Sequence, residues 1–322
     1  MHEPIELSTL FPSQQPQTEP ATSLALLDHE RILAVSGKDA TRFLQGQFTC
    51  DVASLTPGNQ VLGARCNPKG RMQSSFRLFK VSEESYLLAL ASELLEPQQK
   101  DLAKYAVFFK VQLEDVTDQW LRLGLWGQDC TTIISSAEIE QHQGLVLPVA
   151  EHTFELWLPS SAHEQINVLV KRVTPVPTNA WTLQLIRQGI GQVRIQTWES
   201  FIPQMLNLQH LGGISFRKGC YTGQEIVARM QYLGKLKRRM YRLLLAGDQL
   251  PLPGTSIHDS NTQQAVGEVV MAAQADNHIE LLAVLQKEAA ESTSLTLNNS
   301  TRLLQPTSLP YEQELTSDSA AH

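Results

Sequence analysis

A short run in the C-terminal half of the chain places one cysteine among groups that make a thiol reactive: Lys218-Gly219-Cys220-Tyr221-Thr222-Gly223-Gln224-Glu225. Thr222 followed three positions later by Glu225 predicts a capping box and a helix that begins at Thr222. Cys220 would then lie two residues outside the N-cap, where unpaired backbone N–H groups and the helix dipole favour an anion. An ordinary thiol has a pKa of roughly 8.5, and such surroundings lower it.

Basic side chains flank this cysteine on both sides. Arg217 and Lys218 precede it, and Arg229 follows on the predicted helix. A cation beside the sulfur stabilises the thiolate, so Cys220 and Lys218 form the candidate catalytic pair. The same pattern also suits a small buried cysteine beside an ordinary helix start, and the residues alone leave both interpretations open.

The elements that must position this run follow from the periodicity of the chain. Asn67-Pro68-Lys69-Gly70 is a strong turn signal, so the apolar runs 61–66 and 72–81 are predicted to form a hairpin. Further strands are predicted at 24–27, 31–36, 86–91, 109–113, 121–126 and 154–158. Helices are predicted from near Asp39, at 92–105, at 162–173 and around Trp181. This mixture indicates an α+β fold for the first two thirds of the chain.

The pattern changes after about residue 235, where short strands alternate with turns. Strands are predicted at 239–245, 265–271, 279–284 and 295–304, which indicates a small antiparallel β-barrel. The ends of the chain differ from both regions. Four prolines among the first 20 residues predict a flexible arm, and an acidic, small-residue stretch predicts a flexible tail at 311–322.

Composition narrows the classes of function. A chain of 322 residues with 42% hydrophobic residues can bury a large core in two or three domains. The net charge of −7 argues against a general nucleic-acid coat protein. Four widely spaced cysteines, without a C-x-x-C pair or zinc-spaced histidines, predict no resident metal site. No signal peptide or membrane span is predicted, so we expect a cytoplasmic protein with reduced thiols.

Several separated motifs resemble the YgfZ family of folate-binding, tRNA-modification-associated proteins. The longest runs from Phe201-Ile202-Pro203-Gln204 to Gly223-Gln224-Glu225, and others are Phe43-Leu44-Gln45-Gly46-Gln47, Lys69-Gly70-Arg71-Met72 and Lys104-Tyr105-Ala106-Val107-Phe108. The resemblance spans residues 22 to 285. The family is similar in fold to the glycine-cleavage T-protein, an aminomethyltransferase.

The resemblance implies an architecture and a cofactor. We expect two α+β portions and the C-terminal barrel to surround a central folate channel. The expected limits are an arm at 1–20, an α+β folate-binding portion at 21–165, a second α+β portion at 166–235, the barrel at 236–310 and the tail at 311–322. The implied cofactor is tetrahydrofolate or a one-carbon derivative of it.

Several site residues follow from the same resemblance. Trp181 matches a tryptophan that the family associates with folate, although a tryptophan on a helix is also an ordinary core residue. Tyr221, Gln224 and Glu225 are the other candidates for contacts with the pterin. The family's second folate-linked tryptophan has no counterpart here, because Glu30 occupies the matching place.

A pair of serines separates this chain from the aminomethyltransferases. In those enzymes a carboxylate follows the glycine turn of the second hairpin, whereas this chain has Ser74 and Ser75 there. A hydroxyl cannot act as a base near neutral pH. We therefore do not expect a conventional turnover enzyme.

The function implied is support of iron–sulfur cluster assembly or repair, and thereby of tRNA thiolation, through an activated Cys220. Iron–sulfur tRNA-modifying enzymes would be its clients. One alternative is a folate-dependent one-carbon transferase. Another is a tRNA-binding adaptor that uses the basic run 235–242, although a solvated strand edge or a site for a polyglutamylated folate tail would explain that run as well.

Overall fold

The computed structural model describes residues 10–13, 20–297 and 300–313 of the chain. These residues form two compact units. The first consists of the described residues up to Arg31 together with Val116–Thr182, and the second of Ile32–Asp115 with the described residues from Leu183 onward. No helix in these described ranges is long and apolar enough to cross a membrane.

Strands and helices alternate along most of the chain. The strands are β1 (Thr22–Leu26), β2 (Glu30–Ser36), β3 (Gln60–Cys66), β4 (Met72–Ser82), β5 (Ser85–Ala91), β6 (Gln112–Asp115), β7 (Trp120–Gly127), β8 (Leu145–Ala150), β9 (Thr153–Pro159), β10 (Thr174–Val176), β11 (Arg238–Ala246), β12 (Ser256–Asp259), β13 (Gln264–Gln274), β14 (His278–Gln286), β15 (Leu295–Leu297) and β16 (Leu304–Thr307). The α-helices are α1 (Ala40–Gln45), α2 (Ser92–Ala106), α3 (Cys130–Ser136), α4 (His163–Val170), α5 (Thr178–Arg187) and α6 (Gln224–Tyr232).

The first unit is built on a five-stranded sheet in the order β10-β1-β7-β9-β8. Successive side chains of a strand point to opposite faces. Leu121, Leu123 and Leu125 of β7 therefore share one face, where they join a core cluster that includes residues of α3 and α4. The intervening residues, Arg122, Gly124 and Trp126, lie on the other face, which carries the polar and aromatic groups described below.

The second unit contains a five-stranded sheet in the order β3-β4-β5-β2-β6. The predicted hairpin is confirmed, because β3 and β4 pair antiparallel from Gln60↔Phe79 to Cys66↔Met72. Glycine is needed at the turn, since Gly70 has a φ of 68°. This hairpin is the support on which the cysteine-bearing loop rests.

A second sheet of this unit contains the C-terminal strands in the order β15-β12-β13-β14-β11-β16. All of its described pairings are antiparallel, and a bridge between Thr296 and Leu303 links the regions of its two edge strands. The sheet is therefore curled into a half-barrel around a core that includes Leu243, Val269 and Leu281. This agrees with the prediction of a small antiparallel barrel.

Two predicted strands differ from the structure. The strand predicted at 295–304 is divided into β15 and β16, and the N–H of Ser300 bonds back to the carbonyl of Leu297 at 2.8 Å. This hydrogen bond turns the chain back after Leu297, so the described residues do not continue one strand from 295 to 304. The strand predicted at 109–113 begins later, because the N–H of Phe109 bonds to Ala106 in the turn that ends α2.

The described residues at the ends of the chain are held by contacts. Leu10 and Phe11 of the predicted arm pack against the core cluster of the first unit. Tyr311, at the start of the predicted tail, donates a 2.7 Å hydrogen bond to the carbonyl of Gly189. Glu312 pairs with Arg239 at 3.2 Å. Residues 1–9, 14–19 and 314–322 of the predicted arm and tail lie outside the described residues.

Candidate functional site

The cysteine-bearing loop is tied to the segment that follows α1. The N–H of Ser215 bonds to the carbonyl of Thr49 at 2.9 Å, and the Thr49 hydroxyl donates to the carbonyl of Gly213 at 2.6 Å. Further along, the N–H of Thr222 bonds to the carbonyl of Gly46 at 3.2 Å. These bonds fix the loop at both ends, because they lie on either side of Cys220. Each joins residues more than 160 positions apart in the chain.

The loop also presses against the hairpin turn through two glycines. Gly223 has a φ of 84°, and a Cβ atom there would lie 2.5 Å from the carbonyl oxygen of Asn67. A Cβ at Gly70 would lie 2.9 Å from the Cβ of Ile226. Only glycine allows this approach of the two backbones. Gly219, by contrast, has open space around it, because a Cβ there would meet nothing within 4 Å.

The predicted capping box is also wrong. Helix α6 begins at Gln224 with Gly223 as its N-cap, and no side chain caps it. The N–H of Thr222 is bonded to Gly46, and the left-handed conformation of Gly223 sets the entry into the helix. Cys220 therefore lies three residues outside the N-cap rather than two. Glu225 is exposed on the first turn of the helix, and Gln224 is half-buried.

Lys218 acts as a clamp within this loop. Its side chain is only 9% exposed, and its Nζ donates to the carbonyls of Phe48 and Cys50, both at 2.7 Å. The ammonium also lies 5.0 Å from the centroid of the Tyr221 ring. Burial lowers the pKa of Lys218 to about 8. These contacts hold the loop in place. The expected contact between Lys218 and the Cys220 thiol is not among the contacts of the described residues.

Cys220 is exposed, whereas Cys50, Cys66 and Cys130 are buried. Burial raises the pKa of the Cys50 and Cys66 thiols to about 12 and that of Cys130 to about 11. These three thiols are therefore protonated and shielded at neutral pH. All four cysteines are described, so Cys220 is the one thiol of the chain that an outside reagent, partner or cofactor can reach.

Tyr221 faces inward beside that exposed thiol. Its side chain is 7% exposed, and burial raises the pKa of its hydroxyl, with smaller contributions from Cys66 and Cys50. The Tyr221 side chain is therefore neutral, and it lies near the buried thiols of Cys50 and Cys66 under the loop, which together with Lys218 form a buried cluster. The Tyr221 ring makes a cation–π contact with the ammonium of Lys218. Sequence reasoning missed this cluster because Cys50 and Cys66 lie far from the motif in the chain.

Both serines that replace the aminomethyltransferase carboxylates are used within the fold. The hydroxyl of Ser74 is buried and donates to Oε1 of Gln98 at 3.0 Å. The hydroxyl of Ser75 accepts the N–H of Val193 at 2.9 Å. Adjacent residues of a strand point to opposite faces, so the two hydroxyls serve different neighbours. They bind structural partners and supply no base.

Trp181 is a core residue of the first unit. It is 1% exposed and lies 5.8 Å from Trp126, measured between ring centroids. A Cβ at Gly124 would lie 2.3 Å from its ring, so the sheet needs glycine there to admit the indole. The ring packs on the polar and aromatic face of this unit's sheet.

That face carries a buried charge network that the sequence did not reveal. Arg122 pairs with Glu30 and, at 2.6 Å, with Glu155, which also accepts the indole N–H of Trp157 at 3.0 Å. Burial alone would lower the pKa of Arg122, but the two carboxylates outweigh it and the pKa is raised. Glu30, where the family's second tryptophan was expected, is thus one arm of an ion-pair triad.

The basic residues between Arg217 and Arg242, which include the basic run 235–242, differ in their surroundings. Lys218 is buried, Arg239 pairs with Glu312, and Arg242 pairs with the buried Glu280 at 2.5 Å. The remaining basic residues are exposed: Arg217, Arg229, Lys235, Lys237 and Arg238. Within the described ranges, no cluster of histidine, cysteine, aspartate and glutamate has the arrangement of a metal site.

Comparisons with known proteins agree with the fold. A family model described as the GCVT N-terminal domain matches residues 18–174. The crystal structure of glycine cleavage system aminomethyltransferase T from Bartonella henselae superposes with a TM-score of 0.63 and 15% identity, covering 92% of this chain and 87% of that chain. At that identity the likeness concerns the fold, which is aminomethyltransferase-like.

Relatives of higher identity identify the family. The tRNA-modifying protein YgfZ of Photobacterium profundum is 36% identical over 296 residues, which are 86% of this chain and 88% of that protein. The protein of the same name from Aliivibrio fischeri is 32% identical over 317 residues, covering 95% and 98%. With such identity over nearly the whole length of both relatives, the chain belongs to the YgfZ family.

Proposed function

We propose that this protein binds reduced folate and supports tRNA modification by iron–sulfur enzymes, acting in the cytoplasm through the exposed thiol of Cys220. One observation carries the proposal. The chain fixes a loop by backbone hydrogen bonds, a buried lysine clamp and two glycine contacts, and presents from it the one cysteine that is not buried. The names of the relatives support tRNA modification as the process that the thiol serves.

The polar and aromatic face of the first unit carries the kinds of group that a pterin needs. A pterin is flat, it donates hydrogen bonds from its amino-pyrimidine edge, and it accepts one at its ring carbonyl. The sheet face offers the indoles of Trp126 and Trp181 as apolar walls and the carboxylates of Glu30 and Glu155 as acceptors. Nε of Arg122 is buried and has no hydrogen-bond acceptor among the described residues, so it is a donor that a ring carbonyl would satisfy.

Reduced folate, when bound, supplies a carrier for one-carbon units and a source of reducing equivalents. The chain's own residues then have separable tasks. The face with Arg122 and Glu155 orients the ring, Lys218 holds the loop, and Cys220 supplies an accessible sulfur. A transient sulfur, iron or one-carbon adduct on this sulfur, or protection of a client's cluster from oxidation, would each use such a thiol.

A titration with tetrahydrofolate under reducing conditions tests the cofactor. Binding should quench tryptophan fluorescence to saturation, and Trp181→Phe should weaken the affinity about fivefold, since an aromatic contact is worth about 1 kcal/mol. Trp198→Phe is the matched control, because this tryptophan lies outside the first unit. Circular dichroism checks that both variants fold. No saturable binding by the native chain would refute the folate part. Equal affinity of Trp181→Phe and Trp198→Phe would refute a role of Trp181 in the site.

A one-carbon transferase acting on a small amine is not favoured by any observation on the described residues. The likeness to the aminomethyltransferase concerns the fold alone. Ser74 and Ser75 stand where the carboxylates are expected and are bonded to Gln98 and Val193. Turnover of methylated amines with tetrahydrofolate would revive this alternative.

A further inference from the structure

The segment between α6 and β11 forms a basic strip on the second unit. Residues 233–237 link the helix to the strand, and Lys235, Lys237 and Arg238 are exposed. Among the described residues, neither Lys235 nor Lys237 forms an ion pair. The whole chain carries a net charge of −7, so this strip is a local exception that attracts an anion.

Large apolar side chains are exposed next to these cations. Tyr232, at the end of α6, is 64% exposed, and Leu233 is 85% exposed. The Tyr232 ring is braced edge-on by Phe216, with centroids 6.1 Å apart. An exposed aromatic ring beside a row of cations is the arrangement on which bases of single-stranded nucleic acids stack.

Two cavities open along the same strip. One has a volume of about 430 Å³ and is lined in part by Gln204, Asn207, Lys235 and Lys237. The other, of about 760 Å³, is lined by Lys235, Lys237 and Arg238 together with Arg71 and two acids, Glu199 and Glu268. Both volumes lie in the range of about 300–1,000 Å³ that is usual for ligand sites.

The smaller cavity contains unused hydrogen-bond acceptors. Gln204 is 2% exposed and Asn207 is fully buried. Their amide nitrogens donate to the carbonyls of Val227 and Met240, which fixes the orientation of both amides. Their amide oxygens receive no hydrogen bond from the described residues. A buried acceptor without a donor is costly, and the exocyclic amino group of a nucleobase would provide the donor.

From these observations we infer that the basic strip, together with the adjoining Tyr232, binds single-stranded RNA. Lys235, Lys237 and Arg238 contact phosphates, a base stacks on Tyr232, and a base amino group reaches the amide oxygens of the smaller cavity. An acidic peptide or a polyglutamate tail would satisfy the cations but would use neither the ring nor the acceptors. The inference stands on this surface and is independent of Cys220 and of folate.

Fluorescence anisotropy of the full chain with a labelled cytidine oligonucleotide of about 12 residues, a length suited to such a strip, tests the inference. The triple variant Lys235→Gln, Lys237→Gln, Arg238→Gln should bind much more weakly. Its plot of log affinity against log salt should be shallower by about 2, since each phosphate contact on a single strand contributes roughly 0.7. Arg42→Gln, Lys100→Gln, Lys104→Gln removes the same charge from other exposed sites and should bind like the native chain.

Two further comparisons test the base contacts. Tyr232→Ala should weaken binding about tenfold and leave the salt slope unchanged, because stacking releases no counterions. A uridine oligonucleotide should bind more weakly than the cytidine one, since uracil lacks the exocyclic amino group. Polyglutamate and free cytidine monophosphate, each at millimolar concentration, should fail to displace the bound RNA.

Equal affinity and equal salt slope for the native chain and the strip variant would overturn the inference, as would equal weakening by the control variant. Displacement by polyglutamate or by the mononucleotide would identify the strip as a site for a folate tail or for a free nucleotide instead. Cys220→Ser should bind RNA normally. Failure here therefore leaves the thiol and folate proposals standing, and their failure leaves this inference standing.

Discussion

At the scale of single residues, the contacts of Lys218 in the structure differ from those that the sequence predicted. Lys218 was expected beside the thiolate, but its ammonium is bonded to the carbonyls of Phe48 and Cys50. Tyr221 closes the cluster beneath it. The lysine is therefore a positioning residue, and the exposed sulfur of Cys220 is the group to which we assign the proposed chemistry.

Thiol labelling of the native protein should show one fast equivalent. Cys220 is exposed, whereas the other three thiols are buried and have a pKa of about 11 to 12. With an aromatic disulfide reagent at pH 7.5, Cys220→Ser should abolish the fast phase, and the control Cys130→Ser should keep it. A fast phase that survives Cys220→Ser would show that the loop does not present this thiol as described.

The buried Lys218 gives the stability of the protein a distinct pH dependence. Its pKa falls from 10.5 to about 8 on folding. Between these values the unfolded chain binds more protons than the folded one, so the contribution of this group to the free energy of unfolding increases as pH rises from about 8 to 10.5. Relative to Lys218→Met, the native chain should gain up to about 3 kcal/mol over this window, at about 1.4 kcal/mol per pKa unit.

Urea unfolding of both chains at pH 7 and pH 10 measures that difference. Titrations of all other groups cancel, because the two chains share them. If the free energy of unfolding of the native chain minus that of Lys218→Met stays constant or falls as pH rises, the ammonium is not buried in this clamp.

At the scale of elements, the contact between the helix start and the hairpin turn determines where the loop lies. The turn at Asn67-Pro68 was predictable from its residue types, and so was the hairpin. The start of α6 was not, because Thr222 and Glu225 satisfy a local rule that a distant contact overrides. Gly223 adopts a left-handed conformation against Asn67, and no local pattern records that approach.

Gly223→Ala should therefore destabilise the loop. The residue would be strained at a φ of 84°, and its Cβ would meet the carbonyl of Asn67. We expect a loss of about 1–3 kcal/mol in the free energy of unfolding and faster hydrogen exchange of the loop amides. Gly219→Ala is the matched control, because a Cβ there meets nothing within 4 Å. Equal effects of the two substitutions would contradict the described contact.

At the scale of the whole molecule, the α+β class and the curled C-terminal sheet follow from hydrophobic periodicity and turn signals. The charge networks do not. Arg122 alternates with leucines on an apolar strand, and its partners Glu30 and Glu155 lie on other strands. Lys218 bonds to carbonyls 168 and 170 residues away along the chain. Backbone acceptors leave no mark in the sequence, so only the fold reveals these partners.

The function proposed for the whole molecule depends on the single exposed thiol. The most direct test replaces the chromosomal copy with Cys220→Ala and measures thiolated nucleosides of tRNA by mass spectrometry, with Cys130→Ala as the control and immunoblots to confirm equal protein levels. The account predicts that thiolation falls to the level of the deletion strain in Cys220→Ala and stays at the native level in Cys130→Ala. Native levels of thiolation in Cys220→Ala would contradict it.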